Sequence, residues 1–307
     1  MARLIFMGTS DFACRCLESL EQDNLKIELV ITRPDSVSGR SLRPSLPPVK
    51  RWALSRGIKV WQPRNINSPE SIASLKALAP DLFVVVAYGK ILGKEVLAIP
   101  TLGSINVHAS LLPKLRGAAP IEWALIHGYN KTGITTMYMD EGLDTGDIIL
   151  QMSTEIRENE NAGELCQRLA AIAQTLLPKT VGLVIEGKAP RTPQPAEGQD
   201  YAPVLNSGLE RIDWTRSPAE NANYIRALAP KPGCYTTFRG KRLKILRATP
   251  AAGSASPGSI VVAGKSLSVG SGGGLLTLLE VQLEGKRIIT AQEFINGYRV
   301  QEGELCV

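Results

Sequence analysis

Two polar side chains two residues apart are the first candidates for chemistry. In Ser104-Ile-Asn-Val-His108, apolar and polar residues alternate, which predicts a short strand. Ile105 and Val107 fall on one face; Asn106 and His108 fall on the other. A carboxamide with two N–H donors then stands beside an imidazole that can donate or accept. At the C-terminal end of a strand, such a pair can hold a carbonyl oxygen as it becomes an oxyanion. The following Ser110-Leu-Leu-Pro113 leaves the strand as a loop, because Pro113 lacks the N–H that a ladder needs. The other histidine, His127, closes a predicted helix that starts at Pro120 and stops at Gly128. A histidine there is favoured by the helix dipole alone, so His127 reads as structural and His108 as the catalytic imidazole.

The strand needs neighbours to hold it. The apolar run 4–7 ends at Gly8, with Thr9 or Ser10 capping a helix and Asp11 in its first turn. Strand, glycine turn and helix open an α/β sheet, although G-x-G-x-x-G is absent, so no dinucleotide fingerprint exists. Further strands are expected at 27–32, 59–61, 82–87, 134–139 and 148–152, with helices at 49–55, 69–79, 120–127 and 161–185, the last interrupted at Pro178. Residues 82–87 are apolar without alternation, as a parallel strand covered on both faces requires. Between the strands at 134–139 and 148–152 runs Asp140-Glu-Gly-Leu-Asp-Thr-Gly-Asp147. It lacks the twelve-residue oxygen pattern of a calcium loop. Five scattered cysteines include no C-x-x-C pair, so reduced thiols and no metal site are expected.

A chain of 307 residues with 44% hydrophobic content suits two globular domains. The expected division is a catalytic domain over 1–187, a Pro-rich linker over 188–207 and a C-terminal domain over 208–307. In the last stretch, short strands separated by glycines argue for a small OB-like β-barrel. Residues 208–307 carry 13 Lys and Arg against 8 Asp and Glu, leaving 22 against 21 for residues 1–207. The positive excess lies almost wholly in the last third, which suggests a polyanionic partner. A second basic feature is the long loop from Arg33 to Pro48, with four prolines and three arginines. Its arginines suit phosphate and base contacts. No apolar run approaches the roughly 20 residues of a membrane span. The first residues read as a strand rather than a signal peptide, so the cytoplasm is expected.

Asn106-Val-His108, Ser110-Leu-Leu-Pro113, Arg116-Gly-Ala-Ala-Pro120 and Asp140-Glu-Gly-Leu-Asp-Thr-Gly-Asp147 together resemble the folate-dependent formyltransferases. The resemblance runs from Phe6-Met-Gly-Thr9 to Leu228-Ala-Pro-Lys-Pro-Gly233 and is strongest to members that act on methionyl initiator tRNA. It departs at Ser10, where the family usually has proline. The resemblance implies an α/β fold with a Rossmann-like, mostly parallel sheet domain followed by the small barrel. It implies Asn106, His108 and Asp144 as the catalytic trio, with Asp144 rather than Asp140 or Asp147 as the carboxylate. It implies Ser110, Leu111, Leu112 and Pro113 as the stretch that holds the folate, with Ile91 and Leu92 near its ring. It implies 10-formyltetrahydrofolate as formyl donor, with no metal. It implies that the Arg33–Pro48 loop reaches the tRNA acceptor stem, with Arg40 as the key basic residue, and that the C-terminal barrel binds tRNA. The chain is expected to act as a monomer without a membrane partner. Glycinamide ribonucleotide formyltransferases lack a basic barrel. Formyltetrahydrofolate hydrolases and sugar-nucleotide formyltransferases carry a second domain, but the basic loop and basic tail favour tRNA. A non-catalytic RNA-binding protein on the same scaffold would not need all of Asn106, His108 and Asp144.

Overall fold

The computed structural model describes residues 2–38 and 43–307. Arg40 lies outside the described residues. The chain divides into two compact units, each built from discontinuous segments. One comprises Met1–Pro120, Thr132–Thr154 and Cys166–Pro203; the other comprises Ile121–Lys131, Glu155–Leu165 and Val204–Val307.

The first unit is organised by a seven-stranded sheet. Its order is Ile148–Glu155, Lys131–Tyr138, Ser104–His108, Leu82–Val86, Leu4–Gly8, Ile27–Ile31, Val60–Trp61. Leu4–Gly8 runs parallel to both of its neighbours, and Leu82–Val86 is parallel to Ser104–His108. Every residue of Leu4–Gly8 and Leu82–Val86 is buried, which accounts for their unbroken apolar sequence. Ser104–His108 pairs antiparallel with Lys131–Tyr138, setting His108 opposite Thr135 and Asn106 opposite Met137. The candidate site therefore stands where the sheet changes from parallel to antiparallel.

Ser10 caps the helix Asp11–Gln22 by accepting from the Ala13 N–H at 3.3 Å, so serine keeps the turn closed in place of the usual proline. The expected break at Pro178 does not occur: Ala162–Ile185 is one helix with Pro178 inside it. Its buried residues Ala170, Ala173, Leu177, Val181 and Val184 recur at three- and four-residue spacing. Packing along that stripe outweighs the roughly 3 kcal/mol a proline costs a helix interior. By length and composition alone this helix could cross a membrane; half of its most apolar window is buried inside the protein.

The expected linker also differs. Residues 188–203 belong with the first unit. Thr192 pairs with Ile148, and Tyr201–Ala202 pair in parallel with Arg116–Gly117. Proline and glutamine erase any periodicity here, yet the backbone groups of Thr192, Asp200 and Ala202 bond to the Ile148 and Arg116–Ala119 backbone.

The second unit holds an antiparallel sheet in the order Cys234–Phe238, Lys241–Ala251, Gly274–Leu283, Ser266–Ser271, Ile260–Ala263, with Ile289–Thr290 added beside Gly274–Leu283. Cys306 bridges Phe238 and Leu305 bridges Ser259, so one segment joins the two edges and closes the sheet into a barrel-like ring. The strand Ser266–Ser271 is absent from the sequence expectation because Ser-Leu-Ser-Val-Gly-Ser offers a single β-branched residue. The helix Ala291–Tyr298 begins with a reciprocal capping box between Thr290 and Glu293. It places Phe294, fully buried, 5.3 Å from the Phe238 ring. Phe294→Ala should therefore cost about 3–5 kcal/mol of stability. A lower denaturant midpoint at unchanged slope is the expected reading; an unchanged midpoint would mean that Phe294 is not a core anchor.

Burial pushes the thiols of Cys234 and Cys306 up to about 12, so both stay protonated and inert. All five cysteines are free, and among the described residues no group of three or more His, Cys, Asp or Glu could hold a metal ion.

Candidate active site

The parallel register sets Asn106 beside Val85 at the end of the sheet, with His108 one step further along its own strand. Asp144 reaches both from the loop that follows Lys131–Tyr138. Asp140 bends that loop by accepting from the Gly142 N–H at 3.0 Å and the Thr145 hydroxyl at 2.6 Å. The bend puts Asp144 in the left-handed region, φ 53°, a conformation aspartate tolerates better than most residues. Asp147 instead lies 3.9 Å from Arg191.

The Asp144 carboxylate divides its two oxygens. Oδ1 accepts from Asn106 Nδ2 at 3.3 Å; Oδ2 accepts from the Gly117 N–H at 2.8 Å and stands 3.6 Å from His108 Nδ1. The other ring nitrogen of His108, Nε2, is 2.8 Å from the Leu115 carbonyl oxygen. A carbonyl can only accept, so Nε2 carries a proton there. In the neutral ring, Nδ1 is then the bare nitrogen, and in the charged ring Nδ1–H faces a carboxylate. The side chains of His108 and Asp144 are 6% and 14% exposed, so their attraction acts largely out of water. Asn106 spends one of its two amide hydrogens on Asp144 and keeps the second.

The loop after the strand is fastened rather than free. Thr135 donates to the Ser110 carbonyl at 2.6 Å and accepts from the Leu112 N–H at 3.2 Å. Gln151 donates to the Leu112 carbonyl at 2.9 Å. The Ser110 hydroxyl bonds the Lys114 carbonyl at 2.6 Å, and Leu112 is 3% exposed. Of the four residues of this stretch, Leu111 and Pro113 keep partly exposed surface, while Ser110 and Leu112 are committed to the protein. On the neighbouring loop the same split holds: Ile91 is 85% exposed and Leu92 lies in the core.

Gly117 is required where it stands. Its φ is 122°, and a Cβ there would meet the Ala202 carbonyl oxygen at 2.7 Å. That close approach lets its N–H reach Asp144.

Sequence reasoning missed several supporting groups: the Leu115 carbonyl, the Gly117 N–H, Thr135, Gln151, Gln194 and Asp200. A backbone group leaves no mark in a sequence. Gln194 and Asp200 sit in a stretch that composition assigns to a spacer.

The basic loop has a fixed base. Lys50 Nζ bonds both oxygens of Asp35 at 2.8 Å and Gln62 Oε1 at 2.7 Å, and Gln62 Nε2 bonds the Arg33 carbonyl at 2.7 Å. A short antiparallel ladder, Ser36–Ser38 with Arg43–Ser45, rises from it. Gln62, between Trp61 and Pro63, thus completes this knot.

A family model described as formyl transferase matches residues 2–181, and one described as formyl transferase, C-terminal domain, matches residues 205–299. A methionyl-tRNA formyltransferase of Symbiobacterium thermophilum is 49% identical over 311 residues, covering 99% of this chain and 94% of the relative. One from Caldanaerobacter subterraneus is 44% identical, covering 99% of each. Among solved structures, an N-formyltransferase of Helicobacter canadensis in complex with folinic acid and dTDP-3-aminofucose superposes with a TM-score of 0.68 at 20% identity, covering 91% of this chain and 98% of that one. HypX of Aquifex aeolicus in complex with tetrahydrofolic acid gives 0.61 at 15% identity, covering all of this chain and 50% of that one. These two likenesses are likenesses of fold.

Proposed function

We propose, from the premise that this chain belongs to the formyl transferase family, that it moves a formyl group from 10-formyltetrahydrofolate to the α-amine of methionine on initiator tRNA. The observation that carries the chemistry is the meeting of Asn106, His108 and Asp144 through contacts of 3.3 and 3.6 Å. The acceptor follows from methionyl-tRNA formyltransferases that match this chain across both units.

The neutral amine attacks the formyl carbon. A C–N bond forms, the formyl oxygen gains negative charge and the attacking nitrogen gains positive charge. The uncommitted Asn106 amide hydrogen donates to that oxygen. His108 Nδ1 exchanges the proton that must leave the amine and arrive on the folate N10 as its bond to the formyl carbon breaks. Nε2 takes no part, because it is held by the Leu115 carbonyl. Asp144 keeps the Asn106 amide oriented and balances the ring when it is charged. Leu111, Pro113 and Ile91 supply the exposed apolar surface for the pterin, and Ser110 and Leu112 hold the loop that presents it. No metal is needed for this sequence of steps. Because the acceptor is a charged tRNA, the place of action is the cytoplasm.

A quenched single-turnover assay tests the reading. Formyl from 10-formyltetrahydrofolate should appear on methionyl initiator tRNA and not on an amino-sugar nucleotide. The opposite preference would transfer the protein to the sugar-acting formyltransferases. Arg40→Ala should raise the KM for tRNA by about tenfold, roughly the 1.4 kcal/mol of one charge-assisted contact. A raised KM for the folate instead would remove Arg40 from the tRNA contact.

A further inference from the structure

The stretch from Thr192 to Ala202 is hydrogen-bonded to both loops that carry the catalytic partners. Gln194 uses all of its amide. Its Nε2 donates to the Asp144 carbonyl at 2.8 Å and the Gly146 carbonyl at 2.9 Å. Its Oε1 accepts from Arg116 at 3.1 Å through Nε and at 2.6 Å through Nη2, while Gln199 Oε1 takes Nη1 at 3.0 Å. Arg116 is 5% exposed. Gln194 is therefore a half-buried bridge between the Arg116 strand and the backbone of Asp144 itself.

Asp200 does the same for the imidazole. Its Oδ1 accepts from the Leu115 N–H, and its backbone carbonyl accepts from the Arg116 N–H at 3.0 Å. Leu115 adopts φ 61°, unusual for a branched residue, and turns its carbonyl to His108 Nε2. The peptide that fixes the His108 ring is thus itself fixed at its other end by Asp200. Left-handed residues persist where surrounding contacts over-determine them. Here the two catalytic partners depend on two such residues, Leu115 and Asp144, and each is tied down by the same strap.

We propose that Gln194 and Asp200 are positioning residues for formyl transfer: Gln194 sets the height of Asp144, and Asp200 sets the tautomer of His108 through Leu115. The inference rests on the reading of Asn106, His108 and Asp144 as the catalytic set. Both act through the groups they hold, the Asp144 and Gly146 carbonyls and the Leu115 N–H. Their effect is on kcat, because a catalytic group misplaced by about 1 Å loses on the order of 10²-fold in rate while binding surfaces stay intact.

Three variants test this in the full chain. Gln194→Glu keeps an acceptor for Arg116 and replaces both donors to the carbonyls with repelling oxygens. It should melt at or above the parent temperature, keep both KM values and lose about 10–10²-fold in kcat. Asp200→Ala should lose a similar factor, and Asp200→Asn, whose Oδ1 can still accept from the Leu115 N–H, should recover most of it. The second readout is the imidazole 15N spectrum, which is simple because the chain has two histidines. In a His127→Gln background His108 is the only imidazole, so its signals are read directly. The parent ring should hold its proton on Nε2; in Asp200→Ala the ring should mix both tautomers. Parent-like kcat in Gln194→Glu, or a His108 signal unchanged in Asp200→Ala, overturns the proposal. A parent chain that transfers no formyl group overturns the catalytic reading instead, and the ring spectrum still reports on the strap.

Discussion

His108→Ala should slow single-turnover formyl transfer by about 10²–10⁴-fold, the range typical for losing a positioned acid–base group. Of the ring's two nitrogens, Nε2 is occupied by the Leu115 carbonyl and Nδ1 faces Asp144. The variant therefore removes the proton carrier and leaves the carboxylate with Asn106 and the Gly117 N–H. Binding should change little, since His108 is 5% exposed and contributes almost no surface. The deficit should appear in the chemical step with KM for folate and tRNA within a few-fold. Adding Asn106→Ala should cost much less than its effect alone, because groups acting on one transition state are not additive. A deficit under tenfold, or full additivity, would separate the two residues and end the argument for a shared site.

Asp144→Asn should lower the same rate by about 10²–10³-fold, comparable to loss of an oxyanion donor. Asparagine is chosen because it also tolerates the left-handed φ of 53° and can still accept from the Gly117 N–H. Fold and melting temperature should hold. What disappears is the negative charge beside a ring that must become positive during proton transfer, in a site where water screens little. If the amide hydrogens of the new side chain turn toward Nδ1, they would also hold that nitrogen as an acceptor and block its protonation. Activity near the parent level would show that Asp144 orients its neighbours without its charge mattering.

The legible part of this site was the part written in local pattern. Two-residue alternation put Asn106 and His108 on one face, and Pro113 marked the loop. Asp144 was identified only by likeness to a family; nothing in the spacing of Asp140, Asp144 and Asp147 says which one turns inward. That choice is made by the Asp140 bend and by Gln194, whose bonds to the 144–146 backbone join residues about fifty apart in sequence. Long-range side-chain bonds to backbone carry no periodicity, so residues 192–202 looked like a spacer. Pro178 shows the reverse error. A strong local breaker was overridden by a buried stripe whose partners lie elsewhere in the chain. The fold class survived both, because hydrophobic runs such as 82–86 report burial directly.

The discontinuity of the two units has a consequence for the order of events on the ribosome. Ile121–Lys131 and Glu155–Leu165 leave the exit tunnel well before Val204–Val307, the rest of their unit. At synthesis rates of about 5–20 residues per second, they wait on the order of ten seconds or more. The candidate site waits too, since the residues bonded behind it, Gln194 and Asp200, come just before Pro203. A nascent chain stalled before that point would carry Asn106, His108 and Asp144 and still lack those bonds.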